Sequence, residues 1–169
     1  MIKTLILLGS HRNPSDTLRL LDAVFSNQQV TLANLLETEI APYDYAAIYP
    51  EQDKFLQVVE QLLAHDRIVF ATPVYWYAMS GRMKNFFDRL TGLVTTHKQF
   101  GRQLREKVML VLAVGADATL PDGFLAPFTS TAIYFDMYFR GYIYACSKHP
   151  AFPAQFPEES RLFRQAALA

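Results

Sequence analysis

Residues 2–25 read IKTLILLGSHRNPSDTLRLLDAVF, and the order of chemistry in that stretch decides the fold. Ile2 to Leu8 is a continuous β-branched and leucine run closed by Gly9, the pattern of a central strand covered on both faces. Ser15 or Asp16 then supplies a helix cap, after which Leu18, Leu21, Val24 and Phe25 recur at helical spacing while Arg19 and Asp22 take the wet side. Strand, polar loop and helix therefore follow one another. The apolar run is short and lacks a small-residue cleavage pattern, so it reads as a buried strand and not as a signal segment.

The alternation continues outward. Val30 to Leu35 is a weaker strand, expected at a sheet edge, and a polar connection through Pro42 and Pro50 follows it. Phe55, Val58, Val59, Leu62 and Leu63 form the stripe of a second helix, with Glu51, Gln52 and Asp53 near its positive start. Ile68 to Ala71 is a strand ending at Thr72 and Pro73, and Met79, Met83, Phe86, Phe87 and Leu90 then share one helical face. Val108 to Val114 is the clearest buried strand, Gly115 to Gly123 a loop, Leu125 to Met137 a helix, Tyr142 to Cys146 a strand and Glu158 to Ala167 a short last helix. Five strands alternating with helices predict a three-layer α/β fold around a parallel sheet, in a single domain over residues 1–169.

Bulk properties narrow the function classes. The 169 residues are 51 % hydrophobic, enough for one core, and 16 basic residues balance 16 acidic ones, so gross charge selects no nucleic-acid partner. Cys146 is alone, which rules out an internal disulfide and suits a reducing, cytoplasmic setting. No membrane insertion is expected, because the longest apolar stretches are broken by Pro73 or by Asp136 and Arg140. His11, His65, His97 and His149 lack metal-ligand spacing. Cys146 has no Arg six residues on, against the thiol loop of small phosphatases, and reads as a buried structural thiol.

Ligands of parallel sheets bind beyond the carboxyl ends of the strands, where strand order reverses, and this singles out three loops. The first, GSHRNPSDT, offers the hydroxyls of Ser10, Ser15 and Thr17, the Arg12 cation and the free N–H groups of a helix start, a set that favours phosphate; a simple capped turn uses the same residues. The Asp16 carboxylate would repel a phosphate, so Asp16 is expected to offer its N–H or to cap the helix. Neither a Gly-Lys-Ser/Thr loop nor a GxGxxG is present. The second loop, TPVYWYAMSG, can lay backbone amides against the edge of a flat heterocycle while Tyr75, Trp76 or Tyr77 shields its face; core or interface packing uses aromatics in the same way. Gly115 opens the third loop.

Gly9, Ser10, Arg12 and Ser15, with Pro73, Tyr75, Ser80, Gly81, Lys84, Asn85, Asp88 and Arg89 in TPVYWYAMSGRMKNFFDRL, resemble the NAD(P)H-dependent FMN reductase and quinone reductase group; NLLETEIAPYD resembles its second-strand exit. The resemblance covers about the first 115 residues. It implies a flavodoxin-like sheet of five parallel strands in the order 2-1-3-4-5. It also implies a non-covalent FMN, with phosphate at Ser10, Arg12, Ser15, Asp16 and Thr17 and isoalloxazine against Pro73, Val74, Tyr75, Trp76 and Tyr77, closed on one side by the loop at Gly115. The implied activity is ping-pong transfer of a hydride from NAD(P)H to the flavin and on to a quinone or similar small-molecule electron acceptor, without a catalytic side chain, in a homodimer. Lys84, Asn85, Asp88 and Arg89 are expected to hold their helix to its surroundings or to a second subunit. The alternatives are a flavodoxin-like electron carrier, which the balanced charge disfavours, and a flavin-free scaffold. The third loop, GADATLPDG, departs from the Gly-rich or aromatic pattern usual there, and Tyr134, Phe135, Tyr138, Phe139, Tyr142 and Tyr144 are expected in the sheet-packing core, with a substrate pocket or a subunit contact as the alternative uses.

Overall fold

The computed structural model describes residues 2–169. In chain order the elements are β1 (Thr4–Leu8), α1 (Asp16–Val24), β2 (Thr31–Asn34), α2 (Phe55–Leu63), β3 (Arg67–Tyr75), β4 (Ala78–Met79), α3 (Gly81–Arg89), α4 (Gly92–Thr95), α5 (Lys98–Arg102), β5 (Val108–Gly115), α6 (Ala126–Tyr134), β6 (Tyr138–Cys146) and α7 (Pro157–Leu168). The main sheet runs β2-β1-β3-β5-β6 with every neighbouring pair parallel. This is the flavodoxin-like order expected, with β5 and β6 as the fourth and fifth parallel strands.

Alternation along the strands divides the core in two. Leu5, Leu7, Ile68, Phe70, Met109 and Val111 face one way and meet the buried faces of α2, α3 and α6. Ile6, Leu8, Val69, Ala71, Leu110 and Leu112 face the other way, onto Leu20, Leu21 and Val24 of α1 and Phe163 and Ala167 of α7. The three layers follow from that period of two. β2 is an edge strand with Ala33 buried and Leu32 exposed.

Three local readings change. Thr72 to Gly81 is not an open loop: β3 continues to Tyr75 and turns back on β4, pairing Val74 with Met79 and Tyr75 with Ala78. α6 stops at Tyr134 and β6 begins at Tyr138, because Asp136 takes a left-handed backbone (φ +54°) that a helix cannot continue through. The alternation of β6 was obscured by a bulge at Gly141 (φ +112°), opposite the register shift between Met109 and Val111. The aromatic cluster divides accordingly: Phe135 is buried, Phe139 and Tyr144 pack on the core, and Tyr134, Tyr138 and Tyr142 face outward. Among the described residues no helix is long and apolar enough to cross a membrane, and no cluster of metal-binding side chains is present.

Candidate functional site

β1, β3 and β5 end at the same rim of the sheet, and the loops that follow them share one cavity. It measures about 230 Å³ and is lined by Ser10, Arg12, Ser15, Asp16 and Thr17, by Pro73, Val74 and Tyr75, and by Val114, Gly115, Ala116 and Ser147. Nine of the eleven residues singled out in the sequence meet there. Trp76 and Tyr77 do not line it. They form the two-residue turn between β3 and β4, both with positive φ (48° and 66°), and are 92 % and 67 % exposed.

The first loop is built around the start of α1. Ser15 is its N-cap, the hydroxyl accepting the Leu18 N–H at 3.1 Å. The N–H groups of Asp16 and Thr17 make no hydrogen bond among the described residues, as expected for the first turn of a helix. Thr17 is 1 % exposed, and its hydroxyl is likewise unpartnered among the described residues although it lines the cavity. The Asp16 carboxylate accepts from Arg12 at 3.0 Å and Arg19 at 3.1 Å, so its charge is offset by two cations. A phosphate approaching α1 would therefore meet a local surplus of positive charge.

Ser80 explains how loops seventy residues apart come to one place. Its hydroxyl donates to the Gly9 carbonyl and accepts the Met83 N–H at 3.1 Å, capping α3, while its own N–H donates to Thr72 Oγ1 at 3.0 Å. Gly9 permits the approach, because a Cβ there would lie 3.0 Å from the Met83 side chain.

The far wall is fixed from β6. Tyr144 Oη donates to the Asp117 carbonyl at 2.7 Å, Cys146 Sγ to the Ala116 carbonyl at 3.3 Å and the Ser147 N–H to the Gly115 carbonyl at 2.8 Å. The Ala116 N–H is unpartnered among the described residues. Val114, Ala116 and Ser147 were not singled out in the sequence; Ser147, directly after the last strand, could have been found from topology, since each parallel strand delivers its next residue to this rim.

The polar spacing on α3 has a structural use. Arg82 donates to the Leu35 carbonyl at 3.2 Å, Asn85 to Ile40 at 2.8 Å and Arg89 to Ala41 at 2.8 Å, pinning the long 35–54 connection to one face of the helix. Arg89 also forms a buried ion pair with Asp53 at 2.8 Å, whereas Lys84 and Asp88 are an exposed helix pair. Asn85 and Arg89 thus hold the helix to its surroundings, as expected.

A family model described as NADPH-dependent FMN reductase matches residues 2–127. The Bacillus subtilis protein YwqN, named for an NAD(P)H-dependent FMN-containing oxidoreductase, is 31 % identical over 105 residues, covering 60 % of this chain and 58 % of its own. The chain thus spans little more than half the length of that relative. A solved structure of a Trp repressor binding protein from Bacillus subtilis shares 21 % identity at a TM-score of 0.76, over 99 % of this chain and 98 % of that one. An NADPH-quinone reductase structure from P. pentosaceus shares 18 % at 0.69, over 99 % and 98 %. At such identities the two structures attest the fold, and the family match, spanning both the phosphate-type loop and the β3–α3 stretch, places the chain in the NADPH-dependent FMN reductase family.

Proposed function

We propose that the chain is an FMN-dependent NAD(P)H oxidoreductase that delivers reducing equivalents to a quinone or similar small acceptor. The observation that carries this reading is the convergence of a bare helix N-terminus, the hydroxyl-bearing residues Ser10, Ser15 and Thr17 and the end of β3 on one cavity. That donor set suits a phosphate monoester. At about 230 Å³ the cavity is smaller than the ~300–1,000 Å³ of most enclosed ligand sites. That size suits one end of a mononucleotide, with the flat ring then at the open rim and accessible to a second molecule.

When bound, FMN supplies the two-electron chemistry, taking hydride from the nicotinamide and passing it to the acceptor. The chain's part is to bind and to orient. Ser10, Ser15, Thr17, Arg12 and the Asp16 and Thr17 N–H groups hold the phosphate. Pro73, Val74, Tyr75 and Gly115 set the place of the ring, and the Ala116 N–H is available to its polar edge, where a donor stabilises negative charge. Nicotinamide and acceptor use the same open face in turn, which is ping-pong order, and no side chain acts as nucleophile. The quinone assignment draws support from the named quinone reductase of like fold. The exposed aromatic pair Trp76 and Tyr77, in the turn beside the cleft, supports a homodimer in which a second copy covers the rim.

The test is anaerobic mixing of the FMN-loaded protein with NADPH or NADH. Bleaching of the flavin band, followed by recovery on adding a benzoquinone, is expected; no bleaching with either nucleotide overturns the reductase reading. Thr17→Val should weaken FMN binding about tenfold, the effect of one hydrogen bond lost from a buried site.

A further inference from the structure

We propose that the groove between α4, α5 and the end of α6 is a second ligand site, which takes an aromatic oxyanion: a carboxylate or phosphate ester on an apolar ring. The groove is independent of the flavin cleft. It lies at the amino-terminal ends of β5 and β6, so the eight residues of β5, about 25 Å of strand, separate the two.

The hollow measures about 610 Å³, within the range of small-molecule sites, and its lining includes Lys98, Arg102, Arg105, Leu93, Tyr134 and Phe135. Three cations against one acid, Asp136, is a marked imbalance in a chain whose charges cancel. Among the described residues no carboxylate lies within 4.0 Å of Lys98 or Arg102, and Arg105 reaches only Glu106, at 3.9 Å. Helix electrostatics do not account for the cluster: Arg102 suits the last turn of α5, but Lys98 is its first residue, the end that disfavours a cation. Lys98 and Arg102 stand one turn apart and face the same hollow, a like-charge pair that an oxyanion would relieve.

The remaining lining is apolar and firmly built. Leu93 and Phe135 are buried beneath it, and the Tyr134 ring, 69 % exposed, stands edge-on to Phe135 at 5.4 Å. Gly101 lets α5 press onto α4, since a Cβ there would collide with the Leu93 carbonyl. A further hollow of about 310 Å³ shares Val94, Tyr134 and Phe135 with the first and extends the apolar surface. Guanidinium forks suit the two oxygens of a carboxylate or phosphate, and Tyr134 offers a face to a ring.

The full-length protein, loaded with one equivalent of FMN, is titrated with 1-naphthoate, 1-naphthyl phosphate and neutral 1-naphthalenemethanol while backbone amides are followed by NMR. Saturable shifts at Leu93, Gly101 and Phe135, at least tenfold weaker for the neutral compound and in R102Q/R105Q, are expected; the stronger of the two anions identifies the head group. Both arginines are exposed, and an unchanged amide spectrum elsewhere in the variant certifies its fold. Shifts confined to Ser10 and Gly115, equal binding of the neutral compound, or undiminished binding to R102Q/R105Q would each overturn the proposal. So would a change of oligomeric mass in R102Q/R105Q without ligand uptake by the parent, which would make the groove an interface between copies.

Discussion

Gly115 has no room for a side chain because the Tyr144 hydroxyl stands where one would go, 2.6 Å from an added Cβ. Burial, with lesser contributions from Cys146 and Asp117, pushes that hydroxyl from 10.0 up to about 12. The phenolate is the form the fold disfavours, so the unfolded chain loses the proton first; the stability contributed is complete below pH 10 and is lost as the pH rises towards 12. Denaturant midpoints of the parent protein should therefore fall through that interval more steeply than those of Tyr144→Phe, which at neutral pH is less stable by about 1 kcal/mol for its missing hydrogen bond. Parallel pH profiles would assign the titration elsewhere. Arg89 is a second residue whose environment sets its worth: it is almost wholly buried, pairs with the equally buried Asp53, and lies 3.4 Å from the Tyr49 ring centroid. Arg89→Met leaves a carboxylate buried without its cation and should cost roughly 3–5 kcal/mol by chemical denaturation. Lys84→Ala, which removes only an exposed helix pair, should cost below about 0.5 kcal/mol.

Among the elements, the β3–β4 hairpin is the one whose local sequence contradicts its conformation. A two-residue turn with φ positive at both positions calls for Asn-Gly, yet Trp76 and Tyr77 occupy it, at a cost of about 1–2 kcal/mol per residue. This is also why the stretch reads as a loop that folds aromatics inward: nothing in TPVYWYAMSG signals a tight turn, and only the pairing of Val74 with Met79 reveals one. Strain retained beside a candidate site, with both rings turned to solvent, suggests that the rings meet something the isolated chain does not supply. Replacing the pair with Asn-Gly should raise the melting temperature by several degrees, about 2–4 °C per kcal/mol for a chain of this size. The same replacement should raise KM for nicotinamide or acceptor several-fold while leaving FMN affinity nearly intact. A variant that melts higher and turns over unchanged would show the aromatics to be idle in the reaction.

Across the whole molecule, legibility tracked the period of the apolar pattern. β1, β3 and β5 were readable because unbroken runs such as Leu5 to Leu8 and Met109 to Val114 are buried on both faces, and the first loop because a helix cap and a phosphate cradle draw on the same hydroxyls. α4 and α5 leave no mark in the sequence, being about one turn each and too short for a stripe, and the bulge hides the start of β6. What sequence could least convey is dependence between distant parts: the family match ends at residue 127, yet β6 supplies Tyr144, beside the Ser147 that lines the cavity, and α7 covers one face of the sheet. α7 is tied there by Thr4, which donates to the Ala167 carbonyl at 2.5 Å, by Arg67 to Ala166 at 2.8 Å and by Arg164 to Val24 at 3.0 Å, and Phe163 packs edge-on to Phe25 at 6.3 Å. If the last forty residues complete one cooperative core, Phe163→Ala should destabilise the entire domain by about 3–5 kcal/mol, although it does not itself line the cavity. The loss should appear as a single unfolding transition, seen alike by far-ultraviolet dichroism and by the near-ultraviolet dichroism of the buried aromatic core. FMN affinity, measured where the variant is still folded, should stay within about twofold of the parent; two separate transitions would instead make the C-terminal part an independent unit and remove its claim to hold the site together.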